Sequence, residues 1–191
     1  MIGSRLLDDP TPGNPGDETY QRDNVGRLRI WGAEARLARR LGGEESPFVG
    51  TGVVEWIEGR QFDDTIDPNT GEQPLNDVTM RRETPFHGSV GLRYEPKDSA
   101  YAVTWVQLAW VWALAQRDLN PGDLGDPRID PDGTDGWNVL HLDLGGPLGK
   151  VGRGSTWTVG LHNLLDESYR VHGSGFDGPG FGLIAGFHLG F

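Results

Sequence analysis

The last eleven residues of this chain alternate between apolar side chains and small or polar ones, and this pattern restricts the fold more than any other feature. A period of two places successive side chains on opposite faces of a β-strand. We therefore predict a terminal strand with one apolar face. The residues of that face are Phe181, Leu183, Ala185, Phe187, Leu189 and Phe191.

Comparable stretches recur along the chain and predict an all-β, antiparallel protein of about seven to eight strands in meander order. The stretch 100–117 is apolar on both parities, which also suits a buried helix, but its Val and Trp content favours a strand. The stretch 48–61 is poorly phased. The predicted strands are 25–41, 48–61, 85–95, 100–117, 137–145, 155–165 and 180–191, with residues 1–7 as the tail of an eighth.

Composition excludes several classes of protein. The 191 residues contain no cysteine, so disulfides, cysteine-ligated zinc and thiol nucleophiles are excluded. Acidic residues number 28 and basic residues 17, giving a formal charge of −11. Nucleic acid is not expected as a partner, because phosphate binding needs a basic face. Neither a secretory signal nor an apolar helix of about 20 residues is visible.

The lengths of the connections separate a membrane barrel from a soluble sandwich, which alternates in the same way. Outer-membrane barrels have short turns on one side and long loops on the other. The predicted long connections are 8–24, 62–84, 118–136 and 166–179, the short ones are 42–47 and 96–99, and 146–154 is intermediate. This order favours a transmembrane β-barrel segment.

Aromatic residues gather at both ends of the predicted strands, as in the girdles that mark membrane–water interfaces. Those toward the long loops are Trp31, Trp56, Phe86, Trp137 and Phe181, and those toward the short turns are Tyr94, Tyr101, Trp157 and Phe191. A C-terminal Phe in an alternating strand is also the feature that such barrels present to their assembly machinery. We expect Phe187, Leu189 and Phe191 to form that signal.

Three stretches carry a family resemblance. Residues 159–175 read Val-Gly-Leu-His-Asn-Leu-Leu-Asp-Glu-Ser-Tyr-Arg-Val-His-Gly-Ser-Gly, and a Pro-Gly pair and the terminal strand follow. Residues 24–34 read Asn-Val-Gly-Arg-Leu-Arg-Ile-Trp-Gly-Ala-Glu, and residues 84–94 read Thr-Pro-Phe-His-Gly-Ser-Val-Gly-Leu-Arg-Tyr. In this order they resemble the C-terminal part of TonB-dependent outer-membrane receptors. One departure is Phe181, which stands where the family usually has Arg.

The resemblance implies that residues 1–191 are the last third or so of a 22-stranded barrel, without its plug domain and N-terminal strands. The implied function is a part in TonB-driven uptake of a scarce ligand, most often an iron–siderophore, haem or similar chelate, and not an enzymatic one. Only the loops 8–24, 62–84, 118–136 and 166–179 could then contribute to ligand binding. The candidate binding loops are 62–84, 118–136 and 166–179, with no catalytic residue, cofactor or bound metal expected. The implied partners are outer-membrane lipid and lipopolysaccharide, the rest of the receptor, TonB, the barrel-assembly machinery and a small-molecule ligand.

Other interpretations stay open at this point. The chain also suits a self-contained small outer-membrane barrel with a structural or adhesive role, a barrel enzyme, or a soluble sandwich. An enzyme would need a constellation such as His172 with Ser174, which lacks the surroundings of a nucleophile elbow. Residues 130–135 have calcium-like oxygen spacing but suit a solvated turn. Metal binding by His141, His162 and His188 on one face is a weaker interpretation than polar filling of a barrel lumen.

Overall fold

The computed structural model describes residues 2–8, 19–24, 26–63, 76–97, 102–149 and 154–190. Within these ranges the secondary structure is entirely β. The strands are β1 (Ile2–Asp8), β2 (Thr19–Asn24), β3 (Gly26–Leu41), β4 (Phe48–Asp63), β5 (Asn76–Thr79), β6 (His87–Tyr94), β7 (Trp105–Ala113), β8 (Trp137–Pro147), β9 (Thr156–His162) and β10 (Gly182–His188).

The main sheet is an antiparallel meander, which confirms the predicted fold class. Its strands follow the order β10-β9-β8-β7-β6-β4-β3, and β5 pairs with β4 beside this path. The strands β1 and β2 pair with each other in a separate two-stranded sheet. All seven predicted strand regions are strands, and the apolar stretch 100–117 is indeed β rather than helical.

Two strands were not predicted. The strands β2 and β5 lie inside the stretches 8–24 and 62–84, which the sequence analysis assigned to loops. Both are short and mostly polar, so apolar alternation does not reveal them. The prediction for 100–117 was too long, because regular pairing in β7 ends at Ala113 and only an isolated bridge joins Gln116 to Thr134.

Register brings the apolar parities of seven strands onto one surface, the apolar face. The pairs that join neighbouring strands include Val54–Gly88, Val90–Trp110 and Leu142–Leu161. The register also determines the orientation of β4, because it places the side chains of alternate residues of that strand on the apolar face. The apolar face consists of Trp31, Ala33, Ala35, Leu37, Phe48, Gly50, Gly52, Val54, Trp56, Gly88, Val90, Leu92, Tyr94, Val106, Leu108, Trp110, Trp112, Leu140, Leu142, Leu144, Trp157, Val159, Leu161, Leu183, Ala185 and Phe187.

The burial pattern of the described residues is the reverse of that of a water-soluble protein, because large apolar side chains are exposed and few are buried. Among the described residues the only buried apolar ones are Ala113, Ile129 and Val139. In contrast, Phe187 is 72% exposed, Leu37 67% and Val90 48%. No second layer of the described structure packs on this face, which argues against the soluble sandwich, because a sandwich buries the apolar faces of two sheets against each other. No helix in the described part is long and apolar enough to cross a membrane.

The opposite surface, the polar face, carries the charged and hydrogen-bonding side chains of the strands. They include Glu34, Arg36, Thr51, Glu55, His87, Ser89, Arg93, Gln107, His141, Asp143, His162 and His188. Arg93 lies over the Trp105 ring with its guanidinium carbon 4.2 Å from the ring centre.

The aromatic girdles are present with one correction. Trp31 and Trp56 lie on the apolar face toward the long loops, and Tyr94 and Trp157 lie on it toward the short turns. Trp137 was wrongly assigned to a girdle. It pairs with Ala113 on the polar face, one parity away from Leu140, and stacks on Tyr169. Tyr101 and Phe191 lie outside the described residues.

Both ends of the main sheet are open. The path of strands begins at β10 and ends at β3, and within the described structure nothing pairs with the free edge of either strand. Backbone N–H and C=O groups at such edges have no partner strand. In a membrane they need hydrogen-bond partners from protein, because no water is present to bond them. Phe187 and Leu189 of the predicted assembly signal lie exposed at the β10 edge.

A charge placed on the apolar face tests whether that face meets lipid. Val90 lies midway along β6, and we expect Val90→Arg to lower the free energy of unfolding in lipid vesicles by about 2–4 kcal/mol, the cost of Arg at the bilayer midplane. The matched control is Thr51→Arg, an exposed position on the polar face at a similar height. Urea titration followed by tryptophan fluorescence measures both. Equal effects of the two substitutions would contradict a lipid-facing surface.

Candidate functional site: the loop cluster

The three candidate loops meet at one end of the sheet, because each follows a strand that runs in the same direction, namely β4, β7 and β9. Residues 64–75 of the first loop lie outside the described residues. The remainder of the three loops forms a polar cluster with its own hydrogen bonds, which we call the loop cluster. It includes four buried polar residues, Thr79, Asn120, Asp123 and Asp126.

Asp126 is the centre of the loop cluster. Its carboxylate is 3% exposed and accepts hydrogen bonds from two arginines of different origin. Arg82 of the first loop donates through Nη2 at 2.7 Å and Nε at 3.1 Å. Arg128 of the second loop donates through Nε and Nη2, both at 2.8 Å. A buried carboxylate with several charge-assisted partners is stable, but one without them is strongly unfavourable.

A second buried carboxylate ties the same two loops together. Asp123 accepts the backbone N–H of Arg82 at 2.9 Å and Nε of Arg81 at 3.2 Å. Asn120, which is 1% exposed, donates to the carbonyl of Thr79 at 2.6 Å and accepts from the N–H of Gly122. These contacts join β5 and the chain after it to the loop between β7 and β8.

The third loop packs onto the arginine side chains that hold Asp126. Gly173 and Gly175 have positive φ angles of 71° and 76°. A Cβ at Gly173 would lie 3.2 Å from Cβ of Arg82, and one at Gly175 would lie 2.6 Å from Cγ of Arg128. Glycine is therefore required for both the backbone conformation and the close approach.

His172 adds a direct link between the second and third loops. Its Nδ1 lies 2.8 Å from Oγ1 of Thr134, while its Nε2 is buried with no hydrogen-bond partner among the described residues. Burial lowers the pKa of His172 below its ordinary value, and the Asp123 carboxylate offsets part of this effect. Burial also raises the pKa of Glu83, whose carboxylate accepts the N–H of Gly59.

The Asn-Leu-Leu-Asp stretch at 163–166 is the clamp that closes the third loop. Asn163, 2% exposed, donates to the carbonyls of Glu167 at 2.8 Å and Pro179 at 3.0 Å. Asp166 accepts the N–H of Phe181 at 2.7 Å. Asn163 and Asp166 thus have a structural role at the start of the terminal strand.

The three histidines singled out from the sequence do not converge. The rings of His141 and His162 lie 4.8 Å apart, but His188 pairs with Thr156, six residues along β9 and so about 20 Å from His162. Nδ1 of His141 accepts the N–H of Asn163 at 3.2 Å, which leaves its proton on Nε2 in the neutral ring. His162 approaches Asp143 at 3.4 Å. The described residues contain no group of three or more potential ligands suited to a metal ion.

The other two sequence motifs form turns. The Ser174 hydroxyl donates to the carbonyl of Phe176 at 2.9 Å, whereas His172 faces Thr134, so the two do not form a nucleophile–base pair. In residues 130–135, the carboxylate of Asp130 accepts the N–H of Asp132, and its carbonyl accepts the N–H of Gly133. This geometry is that of a solvated turn.

Sequence reasoning identified the loops but missed the residues that join them. Arg81, Arg82, Asp123 and Arg128 carry no motif, and the Arg81-Arg82 pair in a strongly acidic chain is the one local signal. Which carboxylate pairs with which arginine depends on contacts between residues about 40 positions apart, as in Arg82 with Asp126.

Comparison with known proteins supports the fold. No protein-family model and no curated protein matches the chain. Among solved structures it is similar to the copper transporter OprC, with a TM-score of 0.62 and 20% sequence identity over 87% of this chain. The match covers 24% of OprC, so the chain spans about a quarter of that structure. This likeness confirms the predicted all-β, antiparallel meander fold.

Removing the charge of Asp126 is expected to weaken the contacts that hold the loops together. Asp126→Asn leaves Arg82 and Arg128 without their shared carboxylate, and we expect tryptic cleavage after these two arginines to accelerate by about tenfold or more, since breaking a buried pair is costly. The control is Asp135→Asn, which removes an ion pair with Arg117 that is 88% exposed on the Asp135 side. Similar cleavage rates in the two variants would show that Asp126 does not hold the loops together.

Acidification is expected to loosen the third loop through His172. An unfolded loop titrates near the ordinary pKa of about 6.5. Because docking lowers the pKa, the docked loop binds fewer protons, so its stability is full above about pH 6.5 and falls as the pH drops toward the lowered pKa. Hydrogen exchange at residues 172–176, corrected for intrinsic rates, measures this loss. The pH dependence should shrink in His172→Gln but not in His188→Gln, and an unchanged dependence in His172→Gln would rule out this assignment.

Proposed function

We propose that this chain is the C-terminal barrel segment of an outer-membrane receptor that takes up a scarce small molecule, in the manner of TonB-dependent receptors. The observation that carries the proposal is the apolar face, which runs unbroken across seven paired strands. An exposed apolar surface of this extent marks a contact with membrane or protein, and its alternation with a polar face is that of outer-membrane barrel strands. The interlocked long loops at one end of the sheet supply a shaped surface where such a receptor meets its ligand.

The two open edges support a role as part of a larger barrel. In lipid every backbone polar group needs a partner, so the free edges of β3 and β10 call for additional strands. The remaining strands and a plug in the lumen, which the polar face would line, are the partners that fit. The family resemblance in residues 24–34, 84–94 and 159–175 points to the same arrangement. A self-contained small barrel would require residues 1–7 to supply a full strand that closes the sheet between β3 and β10, whereas the described β1 pairs only with β2.

The cargo follows from neither the fold nor the loop cluster. The family resemblance favours iron chelates and haem, and the similarity to a copper transporter adds copper to the cargoes that deserve a test. The described part of the loop cluster has no preformed metal site, which favours a complexed ligand over a bare metal ion.

The proposal predicts a defect in uptake. Cells that lack the gene should accumulate at least one labelled cargo more slowly than the parent, among iron–siderophores, haem, cobalamin and copper, and collapse of TonB energy should have the same effect. Asp126→Asn should reduce uptake of that cargo with unchanged protein in the outer-membrane fraction, whereas Glu45→Gln, which removes an exposed ion pair with Lys97 at the opposite end of the sheet, should not. Equal uptake of every cargo in the deletion and the parent, with the chain present in the outer membrane, would refute the receptor role and favour a structural one.

A further inference from the structure

Within the loop cluster, between its second and third loops, lies a pocket that the contacts described above do not fill. It has a volume of about 340 Å³, at the small end of the range for ligand sites. It opens between the turn at 130–136 and the last loop. The side chains that define it are Asp130, Asp135, Trp137, Tyr169, Arg170 and Asp177.

Two aromatic rings form the rigid wall of this pocket. Trp137 and Tyr169 lie with their ring centres 4.7 Å apart at 41°. Tyr169 is held from behind by Gly178, where a Cβ would lie 2.2 Å from the ring, and its carbonyl accepts the N–H of Gly178 at 2.6 Å. Trp137 is anchored by its position at the start of β8. A side chain that would otherwise have belonged to a girdle is thus available to a ligand.

One carboxylate of the pocket, that of Asp130, has no oppositely charged partner among the described residues. Arg170 binds Asp177 at 2.7 Å, and Asp135 pairs with Arg117. Asp130 forms no ion pair with any described residue, and its carboxylate is fixed by the N–H of Asp132 at 2.9 Å. The net charge of the lining is negative, which disfavours phosphates and carboxylates as ligands.

We infer that this pocket binds a small organic cation, with its ammonium group against the Trp137–Tyr169 pair and its charge facing Asp130. Aromatic faces attract cations through the ring quadrupole, and quaternary ammonium groups are the best-known ligands of such aromatic sites. A neighbouring carboxylate adds direct charge attraction, and the pocket's size restricts the ligand to a small molecule. The inference concerns binding at this pocket and does not depend on the transport function proposed above.

Choline is the probe, and its neutral carbon analogue 3,3-dimethylbutan-1-ol has the same shape without the charge. Both are titrated into the full chain refolded in detergent, at constant ionic strength, and tryptophan fluorescence is followed, with Trp137→Phe to assign the signal. We expect a saturable change with choline and binding of the alcohol that is weaker by about tenfold, which corresponds to about 1.4 kcal/mol, because the alcohol lacks the cation–π contact.

Two variants localise the effect. Asp130→Asn keeps the turn, because the amide oxygen still accepts the N–H of Asp132, and should weaken choline binding by about fivefold to tenfold. Asp132→Asn alters an exposed carboxylate of the same turn that does not line the pocket, and should bind choline as the parent does. The inference is overturned if the alcohol binds as well as choline, if neither binds, or if Asp130→Asn binds choline unchanged. The comparison of choline with the alcohol on the parent chain stands even if a variant does not refold.

Discussion

The structure depends on an apolar medium around one face of its sheet. Folding in water is driven by burial of apolar surface, and the described part of this chain buries only three apolar residues. The sheet is held by its backbone ladder, and its large side chains point outward across seven strands. In lipid this arrangement is favourable, since the ladder pairs backbone groups of neighbouring strands across the described sheet, whose two outer edges are open. The two open edges are therefore as important as the apolar face for the stability of this sheet in lipid.

At the loop end of the molecule, in contrast, most of the buried groups are polar. There the buried residues are carboxylates and amides, and they are stable because arginines and backbone groups satisfy them. Asp126 joins Arg82 to Arg128, and the third loop packs its glycines onto these same side chains. One carboxylate thus couples three loops that are distant in sequence. For the proposed receptor role, this coupling would present a ligand with one formed surface rather than with three independent loops.

The sequence predicted the strands well where their side chains alternate and less well elsewhere. In β10 and β6 every second residue is apolar or glycine, and both strands were found within three residues of their ends. The strands β2 and β5 were missed because they are short and polar. Trp137 was misplaced because an aromatic residue at a strand end suggests a girdle, whereas parity relative to Leu140 decides its face. Parity was the stronger signal, since it follows from backbone geometry.

By itself, the sequence determined the fold class, because a period of two over many short segments fits only β-strands with two distinct faces. It also located the long loops, since breaks in that period are visible in the chain. Only the tertiary structure decided which loop residues meet. Asp126 with Arg82, His172 with Thr134 and Tyr169 with Trp137 are contacts between residues far apart in the chain, and they exist because antiparallel strands return the loops to one end of the sheet. Sequence patterns within a few residues do not specify such contacts, whereas the register of the strands sets the relative positions of the loops that make them.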